Sequence, residues 1–124
     1  MDMMKDIREF HEKFGLEYNG FPRLLPSDLS DFRQTFIREE LTEYFNADMD
    51  GDKVGCLDAL VDLVYVALGT AYLHGFDFEE AWRRVHEANM KKVRADSPEA
   101  SKRGSSYDVV KPIGWTPPDL SDLG

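Results

Sequence analysis

"DKVGCLDALVDLVYVALGTAYLH", residues 52–74, decides the fold class of this chain. Apolar residues occupy almost every position around a helix of this length, which is typical of a helix in the middle of a bundle or at a subunit interface. Gly75 follows and is expected to end the helix, while "DMDGD" (48–52) precedes it as a turn. Asp62 interrupts the longest apolar run, which we judge too short and too acidic to span a membrane.

Three more helices are predicted from helical periodicity and capping residues. The first covers residues 3–14, where apolar residues recur at spacings of three and four. The second begins at Ser27 as its N-cap and runs to about Ala47. The fourth begins after Asp77, a second capping residue, and continues to about Lys92.

Residues 95–124 form a tail rich in proline, serine, glycine and lysine, for which we predict irregular structure. No alternating pattern of a strand is visible in the chain. We therefore predict an all-α fold, a bundle of four main helices completed by oligomerisation. The 124 residues fit a single domain.

Composition limits the function. Acidic residues outnumber basic ones by 24 to 15, and the net charge of −9 argues against broad nucleic-acid binding. The single cysteine, Cys56, cannot form an intrachain disulfide, and the charged N-terminus has no apolar signal core. We expect a cytoplasmic protein with no membrane partner.

Acidic residues lie on the apolar faces of two consecutive predicted helices. In "FIREELTEYF" (36–45), Glu40 and Glu43 follow Phe36 by four and seven residues, so both fall in the apolar stripe, with Glu39 at its edge. In the next helix, Asp58 and Asp62 are four residues apart and share one face. The pattern predicts inward-facing carboxylates on neighbouring helices.

Buried carboxylates need compensation, because an isolated buried charge costs several kcal/mol or more. Arg33 is one possible source, while Arg38 lies between the faces of the helix and is expected to point to solvent. A divalent cation is the other, since Mg²⁺ and Mn²⁺ prefer carboxylate oxygens. Either acidic motif alone is typical of a solvated surface, but their combination favours a metal site.

These motifs resemble those of the all-α nucleoside triphosphate pyrophosphohydrolases, the superfamily of MazG and phosphoribosyl-ATP pyrophosphohydrolase. The resemblance rests on "EELTE" (39–43), "DALVDLVYVALGTA" (58–71) and "NMKK" (89–92). "FHEKFG", "PRLLP" and the tail "KRGSSYDVVKPIGWTPPD" are similar to small phage- and bacterium-encoded members. One position departs from the usual E-x-x-D of the second motif, because Ala59 precedes Asp62 by three residues and the acid is Asp58.

The resemblance implies hydrolysis of a nucleoside triphosphate to the monophosphate and pyrophosphate by attack at the α-phosphorus. It implies two or more Mg²⁺ or Mn²⁺ ions per site, and Glu39 is a candidate base for the attacking water. The implied metal ligands are Glu40, Glu43, Asp58 and Asp62. Candidate substrate-binding residues are Asn89, Lys92, Lys102, Arg103 and Lys111, the last three as part of a lid.

Further expectations follow from the same resemblance. The protein is expected to be a homodimer or homotetramer, and a phage-type member would act in the host cytoplasm, with a purine such as dGTP as a plausible substrate. Two alternatives stay open. One is a phosphoribosyl-ATP pyrophosphatase of histidine synthesis, and the other is a noncatalytic helical module whose acids bind a basic partner.

Overall fold

The computed structural model describes residues 1–124 and is mainly helical, which confirms the all-α prediction. Its four helices, named α1 to α4, span Met3–Lys13, Ser27–Met49, Lys53–His74 and Phe78–Asn89. The chain after α4 contains a small antiparallel ribbon of two strands, β1 (Val93–Arg94) and β2 (Val109–Val110), and two single turns of 3₁₀-helix at Pro98–Ala100 and Ser121–Leu123. The ribbon was not predicted, because strands of two residues are too short to show an alternating pattern.

The chain forms two compact units. The first comprises Met1–Phe78 together with Gly124, and the second comprises Glu79–Leu123. The first unit therefore holds α1 to α3, and the second holds nearly all of α4 and the tail. Whether the two behave as a single domain stays a prediction.

The helix boundaries follow local rules with two exceptions, of which one is the end of α4 at Asn89, three residues before the predicted Lys92. Gly75 adopts a left-handed conformation (φ 77°) at the end of α3, as predicted. Asp52 begins the same helix by accepting a 2.9 Å hydrogen bond from the backbone N–H of Gly55. The prediction of Ser27 as an N-cap is wrong: Ser27 is the first helical residue, and Pro26 takes the cap position without a side-chain hydrogen bond.

The core of the first unit lies between α1 and α3. Met4 and Ile7 pack with Leu68, Tyr72 and Leu73, and Ile7 is the most deeply buried large side chain. The loop between α1 and α2 closes the end of this core, because the hydroxyl of Tyr72 accepts a hydrogen bond from the backbone N–H of Tyr18 and apolar loop residues pack against the cluster. This packing holds α3 at the centre of the unit.

Arg33 joins α2 to α3. Its guanidinium is buried and donates hydrogen bonds from Nη2 to the carbonyl oxygen of Val66 (2.9 Å) and from Nε to the hydroxyl of Thr70 (3.0 Å). Gly69 leaves the space for this contact, because an added Cβ would lie 2.8 Å from Nη2. The bonds therefore fix the position of α2 along α3.

A large part of the apolar surface of α3 is exposed. Val54, Leu57, Val61 and Val64 recur at spacings of three and four and are each at least 46% exposed. By length and composition α3 could span a membrane, a test that the core helices of soluble proteins also pass. The judgement that this segment is too short is therefore wrong, although such a span would have to carry Asp58 and Asp62.

The role of Arg33 can be tested by substitution. Replacing Arg33 with Ala removes two hydrogen bonds from a charged donor and leaves a gap beside Gly69. We expect the free energy of unfolding to fall by about 2 kcal/mol in urea denaturation. Arg38→Ala, an exposed change on the same helix, is the control and should shift it by less than about 0.5 kcal/mol. Equal losses of unfolding free energy in both variants would contradict the proposed role of Arg33 in joining α2 to α3.

Candidate metal centre

Three carboxylates from α2 and α3 meet at one place. One oxygen each of Glu40, Glu43 and Asp62 lies within 4.8 Å of the other two. Glu40 and Glu43 are neighbours because residues three apart share a helix face, and the packing of α2 on α3 brings Asp62 to them. The predicted convergence of carboxylates from two helices is therefore confirmed for these three residues.

The three residues differ in burial. Glu40 is buried, Asp62 is half-buried and Glu43 is exposed. Glu43 is therefore not buried as its place in the apolar stripe predicted, although its carboxylate reaches the cluster, and Leu41 and Phe32 of the same helix are also exposed. The cluster thus has one closed side, at Glu40, and one open side, at Glu43.

Glu40 provides the strongest evidence that the cluster binds a ligand. Its Oε2 atom is the one buried side-chain oxygen or nitrogen without a hydrogen-bond partner in the structure. Such an atom normally finds a partner, since leaving it unpaired costs about 1–3 kcal/mol. Arg33 does not fill this role, because its guanidinium bonds to Val66 and Thr70 instead.

The electrostatics of the cluster favour bound protons or a bound cation. Burial raises the pKa of the Glu40 carboxyl above its usual value, and the close approach of the Glu43 carboxyl and the charges of Glu43, Asp62 and Glu39 raise it further. The pKa of Asp62 is raised first by burial and then by the charges of Asp58 and Glu43. Both carboxylates are less stable as anions here than in water.

Glu39 and Asp58 lie beside the cluster but outside the group of three oxygens. Glu39 is exposed next to Glu40, and its charge contributes to the raised pKa of Glu40. Asp58 is also exposed, one turn before Asp62, and acts on Asp62 in the same way. Their roles as base and metal ligand stay predictions.

The predicted substrate-binding residues all belong to the second unit. Asn89, Lys102 and Lys111 are exposed, and Lys92 is half-buried. Arg103 forms an ion pair of 2.9 Å with Asp108, which also accepts a hydrogen bond from the hydroxyl of Ser101. The guanidinium thereby organises the tail, and substrate binding by these five residues stays a prediction.

A comparison with protein families identifies the type of enzyme. The family model for phosphoribosyl-ATP pyrophosphohydrolase matches residues 7–89, from α1 to the last residue of α4. The chain belongs to this family. It is therefore a pyrophosphohydrolase of the MazG-like superfamily, and the acidic cluster lies inside the matched region. No curated protein matches the chain.

The cluster fits the divalent cation on which pyrophosphohydrolases of this family typically depend. Three carboxylates supply the hard oxygen donors that Mg²⁺ and Mn²⁺ prefer, and the unpartnered oxygen of Glu40 would gain a ligand. The exposed Glu43 leaves one side open, as a site that also accepts phosphate oxygens requires.

Two residues with structural roles are hard to recognise from the sequence: Arg33, which joins α2 to α3, and Trp115, whose indole Nε1 donates a 2.7 Å hydrogen bond to the carbonyl oxygen of Ala88. Arg33 was one of two candidate partners for the acids, but its place four residues after Leu29 on the apolar side of α2 is a signal that it is buried. Trp115 lies in a tail without periodicity. Only its position after "KPIG", a turn-forming stretch, indicates that the chain folds back there.

The electrostatic cost of Glu40 leads to a prediction on pH. Because its pKa is higher in the folded chain than in the unfolded chain, ionisation at neutral pH lowers the free energy of unfolding. Glu40→Gln should therefore stabilise the metal-free protein by about 1 kcal/mol at neutral pH. This advantage should disappear as the pH falls below the ordinary range of glutamate, because Glu40 is then protonated in both states.

The measurement is urea denaturation in excess chelator from about pH 4 to pH 8. Glu12→Gln, an exposed change on α1, serves as the control for removal of one negative charge. A Glu40→Gln variant less stable than the wild type at neutral pH would show that the carboxylate is not under strain.

Proposed function

We propose that the protein is a metal-dependent nucleoside triphosphate pyrophosphohydrolase that converts a (d)NTP and water to the (d)NMP and pyrophosphate. The observation that carries this proposal is the group of three carboxylates around the unpartnered buried oxygen of Glu40. Membership of a pyrophosphohydrolase family supports the reaction type. Attack at the α-phosphorus releases the two products in one step.

Each acid has a proposed role in this reaction. Glu40, Glu43 and Asp62 hold Mg²⁺ or Mn²⁺, with Asp58 as a further ligand beside Asp62. When bound, these cations neutralise phosphate charge and lower the pKa of a water molecule. Glu39, exposed at the rim of the cluster, accepts the proton of the attacking water.

We propose first the chemical class of the substrate and then individual candidates within it. The acidic cluster supports recognition of a polyphosphate through metal, which any nucleoside triphosphate provides. We propose a (d)NTP from a cytoplasmic nucleotide pool, with dGTP as the first candidate and the host cytoplasm as the location if the chain is phage-encoded. The family name supports a second candidate, phosphoribosyl-ATP, whose hydrolysis to pyrophosphate uses the same chemistry.

The exposed apolar stripe of α3 supports a further element of the proposal, association with a second copy of the chain. Val54, Leu57, Val61 and Val64 form a continuous apolar face on the helix that also carries Asp62. A homodimer or homotetramer would cover this face. A second copy would also reduce the exposure of the adjacent carboxylates and so strengthen their interaction with cations.

The reaction is tested by incubating the protein with each dNTP, each NTP and phosphoribosyl-ATP in Mg²⁺ or Mn²⁺ and identifying the products. Monophosphate with pyrophosphate is expected, and orthophosphate as the first product would exclude attack at the α-phosphorus. Glu40→Gln and Asp62→Asn should each lower kcat/KM by at least about 100-fold, because a ligand of the metal is lost. Glu12→Gln, on α1, should keep full activity.

Metal binding can be measured apart from activity. Titration calorimetry with Mn²⁺ should show binding to the wild type and a loss in Glu40→Gln. A noncatalytic acidic module predicts neither metal-dependent thermal stabilisation nor product. Full activity in Asp62→Asn would refute the assignment of the site.

Association is tested by light scattering after gel filtration. The wild type should elute as a dimer or tetramer, and the double variant Leu57→Asn, Val64→Asn should shift to the mass of one chain, because two exposed apolar side chains become polar. Val109→Asn, an exposed apolar residue of β2, is the matched control. A monomeric wild type would contradict this element of the proposal.

A further inference from the structure

Two lysines of the second unit occupy opposite positions at the end of the ribbon. Val93 pairs with Val110 and Arg94 with Val109, so the same antiparallel register places Lys92 opposite Lys111 at the end of the ribbon. The hydrogen bond from the N–H of Ala95 to the carbonyl of Asp108 (2.9 Å) continues this register on the other side. Like charges at opposite positions of a ribbon repel each other, so this arrangement needs compensation.

The compensation within the chain comes from a single aromatic ring. The Nζ atoms of Lys92 and Lys111 each lie 5.2 Å from the ring centre of Trp115, within the range of a cation–π interaction. Neither ammonium forms an ion pair with a carboxylate, although the chain has 24 acidic residues. Two positive charges therefore share one indole and have no anionic partner.

The position of Trp115 is itself fixed at two points. A tight turn joins it to β2, because the N–H of Trp115 bonds to the carbonyl of Pro112 (3.0 Å) and Gly114 takes the positive φ of 86° that such a turn requires. The indole Nε1 then donates a 2.7 Å hydrogen bond to the carbonyl of Ala88 near the end of α4. The ring is held in place rather than loosely packed.

We propose that Lys92, Lys111 and Trp115 form an anion-binding site for a condensed phosphate chain, in which Trp115 is the positioning residue. Adjacent negative charges on a diphosphate or triphosphate can contact both ammonium groups at once, whereas a single phosphate has less charge to share between them. The inference rests on the proposed function for its biological ligand, since that reaction has a triphosphate as substrate and pyrophosphate as product.

The binding experiment uses the full chain without metal. Inorganic tripolyphosphate is titrated calorimetrically into the protein in excess chelator at low salt, so that metal cannot link the ligand to the acidic cluster. The wild type should bind tripolyphosphate at least about tenfold more tightly than orthophosphate. Lys92→Met and Lys111→Met should each weaken this binding about tenfold, because one of two charge-assisted contacts is lost.

The control for lysine charge is Lys13→Met. Lys13 also lies near an aromatic ring, 5.5 Å from the centre of Phe14, but it belongs to α1. This variant should bind tripolyphosphate as the wild type does. An equal loss in Lys13→Met and Lys111→Met would show that the effect is one of overall charge and would overturn the site.

The positioning role of Trp115 is tested by measuring the affinity for tripolyphosphate in variants that leave the net charge unchanged. Trp115→Leu keeps both lysines and the net charge, and it should weaken tripolyphosphate binding several-fold. Trp115→Phe keeps a ring for the lysines but loses the bond to Ala88, and it should restore part of the affinity. Affinity unchanged in Trp115→Leu would overturn the positioning role, and absence of binding to the wild type would overturn the site.

Two further comparisons are needed. The first distinguishes substrate from product as the ligand of the site, and the second distinguishes failure of this site from failure of the proposed reaction. Pyrophosphate binding as tight as that of tripolyphosphate assigns the site to the product, and tighter binding of a nucleoside triphosphate assigns it to the substrate. Glu40→Gln should abolish hydrolysis yet still bind tripolyphosphate without metal. Hydrolysis by a wild type that does not bind tripolyphosphate would refute this site alone, and binding without hydrolysis would refute the proposed reaction alone.

Discussion

The pairing of Arg33 with a carbonyl and a hydroxyl of α3 is the constraint on which the first unit depends. A buried guanidinium that donates to Val66 and Thr70 permits one alignment of α2 along α3. Glu40 follows Arg33 by seven residues, about two helical turns, and Asp62 precedes Val66 by about one. The same alignment therefore determines which carboxylates meet, so the position of the acidic cluster is a consequence of a contact that contains no acid.

The cluster and its surroundings illustrate a trade between stability and binding. Burial and mutual repulsion make the anions of Glu40 and Asp62 costly in the folded chain, as their raised pKa values indicate. A site that holds a divalent cation needs such carboxylates. The cation is attracted to each of them, and when bound it also relieves their mutual repulsion. The rest of the first unit, above all the core between α1 and α3, has to supply the stability that the cluster removes.

The sequence allowed much of the fold and part of the site to be predicted. Helical periodicity and the glycine after His74 located the helices, since both are local properties of the chain. The convergence of Glu40, Glu43 and Asp62 followed from two faces that had to pack together. The exposure of Glu43 and the bonds of Arg33 could not be predicted, because they depend on how much of α2 is covered by α3. The register that pairs Lys92 with Lys111 depends on strands too short to recognise.

The three-residue connection between α2 and α3 has a consequence for folding kinetics. Asp50, Gly51 and Asp52 are the whole link between the two helices, so their contacts are local in sequence and the helical hairpin can form early. The acids of both helices would then meet in the transition state, before the core with α1 is complete. Divalent cations that bind the cluster would therefore accelerate folding and leave the unfolding rate almost unchanged, so the availability of metal would influence how fast the chain matures.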